Sequence, residues 1–143
     1  MTVVRVGRAL PNPEAGDVYG FGFVFAPQKF EDIHPGLVLA VKAEPKRVLV
    51  ISVPFSHKEP EEMEFVLEVP VFEARRAGLD AMPQHLFFQH SRIFDMRRDV
   101  RFLRGLETSF VGSVTSGFMR QARGVLLDGV RRGDVALSHS PSL

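Results

Sequence analysis

His34, Ser56, His57, Gln89 and Arg92 are the residues whose types could carry chemistry in this chain. Histidine titrates near neutrality, so His34 can accept a proton, give one up, or act as a cation once protonated. Ser56 offers a hydroxyl, and Arg92 a planar guanidinium suited to phosphate. Residues of these kinds suit proton transfer on an anionic substrate. Each also has a plain structural alternative. His34 can be a half-exposed residue at a strand start, Ser56 a strand-end serine bonded to backbone, and His57 a loop histidine. If 86–94 is one strand, Gln89 and Arg92 fall on opposite faces, and at most one points into a site.

A hairpin must position the first pair. His34-Pro35-Gly36 opens an apolar run, Arg47 to His57 forms a second, and an Ala-Glu-Pro-Lys turn separates them. Strands at about 36–42 and 47–55 would bring His34 and Ser56 to one sheet edge. Before them, 16–25 alternates aromatic and small residues at strand period, and Gly16, Gly20 and Gly22 suggest strong bending. Phe21, Phe23 and Phe25 are read as barrel interior in preference to base-stacking side chains. Residues 26–33 form a loop.

An acidic loop at 57–62 precedes a strand at 64–69. Pro70 then starts a short helix to Ala77, with Gly78 just past its end. A further strand spans 86–94, a charged connection 96–108, and a brief strand 110–114. Thr115 or Ser116 caps a last helix at about 117–130, with Phe118, Ala122, Val125, Leu126 and Val130 on its apolar face. Residues 1–14 read as a loose extension and 133–143 as a mobile polar tail. Many short strands and one terminal helix predict a mainly β fold, a compact and partly open barrel.

At 143 residues the chain suits one domain. Its apolar runs are strand-length, too short to cross a bilayer. No signal peptide is evident at the start, and the absence of cysteine excludes a disulfide framework or thiolate metal site, so a cytoplasmic location is expected. No histidine spacing matches a metal site, and no cofactor is implied. Charge is unevenly placed. Residues 58–73 hold one lysine against six glutamates, while 84–132 hold nine arginines against four acids. The arginine-rich half, with Arg97, Arg98, Arg101 and Arg104 close together, either meets an anionic ligand or is a solvated surface.

Several short motifs occur together and in order. Gly16-Asp17-Val18-Tyr19, His34-Pro35, Val53-Pro54-Phe55-Ser56, Glu68-Val69-Pro70 through Gly78-Leu79-Asp80, Gln89 through Asp95, and Val111-Gly112-Ser113-Val114 make up the set. In order and spacing they resemble the PemK/MazF family of growth-inhibiting toxins, whose SH3-like barrel is shared with the CcdB toxins. The likeness covers about residues 15–130. It implies a type II toxin of a toxin–antitoxin system: a metal-independent endoribonuclease that cuts single-stranded RNA. The ribose 2′-hydroxyl attacks the adjacent phosphate and leaves a cyclic phosphate and a 5′-hydroxyl. It also implies a homodimer with the site near its interface, and a cognate antitoxin lying across the groove.

The resemblance assigns the catalytic pair to His34 and Ser56, with Arg92 and Gln89 as substrate-binding candidates; His57 is a further one as the neighbour of Ser56. The family's arginine before proline is His34 here, which removes a permanent charge and a bidentate grip. A second expectation follows from that change: a PemK-like module without catalysis, binding nucleic acid or a protein such as an antitoxin or a topoisomerase-type target. An open basic groove at His34 and Ser56 would favour the enzyme. Loops closed over that edge would favour the binder.

Overall fold

The structure, a computed structural model, describes residues 13–25, 27–80, 82–103 and 109–143. Most of the expected N-terminal extension, and Arg104, lie outside them. β1 (Asp17–Phe23), β2 (Asp32–Ala43) and β3 (Val48–Ser56) run antiparallel in sequence order. β4 (Val66–Val69) leads to α1 (Val71–Arg76), and β5 (Gln84–Phe87) to a 3₁₀ turn at Phe88–His90. β6 (Arg92–Asp95), α2 (Met96–Asp99), β7 (Phe110–Ser113), α3 (Ser116–Arg132) and β8 (Ser138–His139) complete the described chain. The strands form one curled, largely antiparallel half-barrel sheet in the order β4-β5-β3-β2-β1-β7, with β6 also on β3 and β8 on β6.

Period-2 alternation divides the core between the two faces of this sheet. Leu37, Leu39, Val53, Phe55 and Leu86 pack one way, against Phe118, Ala122 and Leu126 of α3 and Ala74 of α1. Tyr19, Phe21, Phe23, Val38, Val50 and Phe94 pack the other way. Phe21 stacks on Phe94 with centroids 4.3 Å apart, so these phenylalanines are interior as expected. The glycines of β1 have a different use from bending. A Cβ on Gly20 would collide with the Arg101 carbonyl, and one on Gly22 with the Glu31 carboxylate, so both admit close neighbours.

β2 starts earlier than expected. Its residues from Asp32 pair with β1, placing His34 opposite Phe21 inside the strand. The strand expected over 86–94 is two strands and a turn. Along β3, Leu49–Ser52 pair with β6 while Phe55 and Ser56 pair with β5. One straight strand cannot fill both places, so the chain steps across at Phe88–His90, closed by the Ser91 hydroxyl donating to the Phe88 carbonyl at 2.7 Å.

α3 is capped by Thr115, whose hydroxyl oxygen accepts from the Phe118 amide. Gly129, against Phe65 and Val135, takes the inward place expected of Val130, which is exposed. The C-terminal residues are docked. β8 pairs with β6 in parallel, Val135 is buried in the core, and the Ser140 and Ser142 hydroxyls donate to Asp99 at 2.6 and 2.7 Å. The tail read as mobile is thus a strap along the outer edge of β6.

Candidate functional site

The β2–β3 hairpin carries the candidate site at its open end. The pairing of Gly36 with Pro54 continues toward His34 and Ser56, and the His34 Nδ1 lies 3.1 Å from the Phe55 carbonyl oxygen. A carbonyl only accepts, so Nδ1 carries the proton and Nε2 of the neutral ring keeps its lone pair. Burial lowers the His34 pKa; the Phe55 hydrogen bond and Asp32 oppose this only in part. The Ser56 hydroxyl accepts from the Lys58 amide at 3.1 Å, which leaves its own proton free to donate.

His34 and Ser56 line a cleft of about 530 Å³. Its other walls bring in Asp32 from β2, Lys58, Glu61 and Glu64 from the segment between β3 and β4, and Gln89 and His90 from the 3₁₀ turn. Pro27, Gln28 and Glu61 on its rim are exposed. A second cleft of about 380 Å³ shares His34, Ser56 and Lys58 and extends to His57, Leu79 and Asp80. The three shared residues therefore stand where two hollows of ligand-binding size meet.

His90 was not singled out by the sequence, because a continuous strand gives it the face of Leu86 and Phe88. The 3₁₀ turn redirects it. Its ring packs on Phe25 at 4.5 Å, and the His34 ring packs on the same phenyl at 4.7 Å. Burial lowers the His90 pKa, with Glu64 acting upward and Lys58 and His34 downward. Lys58 Nζ lies 3.3 Å from Glu64 Oε2. Burial raises the Glu64 pKa, but the Glu61 amide and Lys58 together hold it below the usual value.

Gln89 reaches the cleft, donating through Nε2 to the Met63 carbonyl at 3.3 Å, while its Oε1 is buried without a partner among the described residues. Arg92 does not line either cleft. Its guanidinium is buried and bonded to Glu31 at 3.0 Å, the Gly22 carbonyl at 3.0 Å and the His139 carbonyl at 2.9 Å. Three of its five N–H donors are thereby engaged within the fold. His57 points to the far side of Ser56. Nδ1 meets the Pro83 carbonyl at 2.9 Å and Nε2 meets Asp80 at 3.0 Å, so both nitrogens face acceptors, which favours the charged ring. The Pro83 and Asp80 contacts raise its pKa.

The basic groove that would favour the enzyme is not what surrounds His34 among the described residues. Arg98 and Arg101 border a separate hollow near Ser140 and Ser142. Within the larger cleft Lys58 faces three carboxylates, Asp32, Glu61 and Glu64. Among the described residues no group of three or more histidine, aspartate or glutamate side chains is placed to hold a metal ion, and no helix is long and apolar enough to cross a membrane. In comparisons with protein-family models and with curated proteins, the chain matches none of them.

Proposed function

We propose that this protein cleaves single-stranded RNA without a metal ion, as a growth-inhibiting toxin of the PemK/MazF type. The observation that supports this best is the placement of a neutral imidazole, a free hydroxyl proton and an ammonium at the junction of two clefts. A polymer crossing that junction would have nucleotides on either side and its phosphodiester between them. Nε2 of His34 accepts the 2′-hydroxyl proton, the step that a permanently charged arginine performs poorly at neutral pH. Ser56 and Lys58 donate to the non-bridging oxygens as charge builds on the phosphorane. Asp32 and Glu61 suit the amine edges of bases better than phosphate.

Incubation with mixed-sequence single-stranded RNA in excess EDTA tests this. Fragments ending in cyclic phosphate are expected from the unaltered protein. His34→Ala should lower the rate by about 10²–10⁴-fold, and Ser56→Ala by about 10²–10³-fold. RNA left intact at high protein concentration would overturn the proposal. That outcome favours a second function, a binding module for an antitoxin or another protein or nucleic acid. One pair of observations points there: Arg92 is locked into the fold, and carboxylates outnumber Lys58 in the larger cleft.

A further inference from the structure

We propose that His90 is the second proton-transfer group of this cleft, the general acid that protonates the departing 5′-oxygen while His34 acts as base. This rests on the RNA-cleaving function proposed above. A displacement at phosphorus moves two protons at two different oxygens, and one imidazole cannot do both in a single step. As the O2′–P bond forms, the 2′-hydroxyl proton passes to His34. As the P–O5′ bond breaks, the proton on His90 passes to O5′. His34 ends protonated, His90 ends neutral, and the phosphodiester keeps its single negative charge.

The geometry supplies what a second group needs. His34 and His90 pack on one phenyl ring, Phe25, and both line the larger cleft beside Ser56 and Lys58. The Phe55 carbonyl orients the His34 ring through Nδ1, and the His90 ring is held beside it on the same Phe25 phenyl. The groups facing His90 are Glu64, Lys58 and Glu61 from the segment between β3 and β4 and His34 and Asp32 from β2. Burial disfavours the imidazolium form of His90 and Glu64 opposes this in part; a bound phosphodiester would add its own negative charge in favour of that form and draw Lys58 from Glu64. His34 is bonded to the end of β3, beside Ser56, and is accordingly the base.

The pH dependence of kcat/KM on two substrates tests the assignment: an RNA dinucleotide and uridine 3′-(4-nitrophenyl phosphate), whose leaving group departs without a proton. For the unaltered protein, a fall at alkaline pH is expected on the dinucleotide and not on the nitrophenyl ester. His90→Gln should lower dinucleotide cleavage by about 10²–10⁴-fold and change the ester rate less than about tenfold. His34→Gln should lower both rates. Equal loss on both substrates in His90→Gln, or an alkaline fall that persists on the ester, would overturn the role of His90. An unaltered protein that cleaves neither substrate would overturn the RNA-cleaving function itself, and this inference with it.

Discussion

Three histidines near the site respond to pH in opposite senses, and the cause is local. His34 and His90 are pushed down by burial, whereas His57 is pushed up by the Pro83 carbonyl and Asp80. For the first two the folded pKa lies below the unfolded value of about 6.5. The unfolded chain then takes up protons first as pH falls through that value, and stability is lost. The sign reverses for His57: its contribution is full below about 6.5 and fades as pH rises through the raised folded value. Urea midpoints are therefore expected to fall between about pH 7.5 and 5.5, and to fall less in a His34→Gln/His90→Gln double variant. The midpoint gap between His57→Gln and the unaltered protein should shrink as pH rises.

At the scale of elements, the buried polar contacts join segments that hydrophobic packing alone would leave sliding. Arg92 ties β6 to the carbonyls of Gly22 in β1 and His139 in β8, and to Glu31 before β2. Arg92→Ala is expected to cost about 3 kcal/mol, because charge-assisted bonds at a buried site are lost together. Arg92→Lys should restore only part, since one ammonium cannot span three acceptors in that geometry. Equilibrium urea denaturation measures both. Thr115 does similar work at the start of α3: it accepts from Phe118 and donates through its amide, at 2.9 Å, and its hydroxyl to buried Glu73 of α1. Thr115→Ala should cost about 1–2 kcal/mol, and more than an exposed cap would.

For the whole molecule, the C-terminal strap decides how the sheet ends. β8 covers the outer edge of β6, and Asp99 gathers the Asp95 amide with the Ser140 and Ser142 hydroxyls. Removing residues 134–143 would strip a buried valine from the core and uncover a sheet edge. Loss of the two serine bonds to Asp99 alone is expected to cost about 3 kcal/mol. Light scattering on the truncated protein should show concentration-dependent association beyond any assembly of the full chain at equal concentration.

Local physics made much of this legible in the amino-acid order. The alternation in 16–25, the apolar run over 47–55, the proline turn between the hairpin strands, Pro70 and Gly78 around α1, and the Thr115 cap are short-range signals. They sufficed to bring His34 and Ser56 to one sheet edge. What the order of residues could not decide were the pairings made over long distances. β3 has to serve two neighbours, and only that demand breaks 86–94 at Phe88–His90 and turns His90 toward His34. Arg92 was indistinguishable from a phosphate-binding arginine until Gly22, Glu31 and His139 closed around it. The polar 133–143 segment looked loose because its partners, Ser91, Ile93 and Asp99, lie some forty residues earlier. Sequence determined which residues could share the site; tertiary structure determined which of them keep donors and lone pairs free for a ligand.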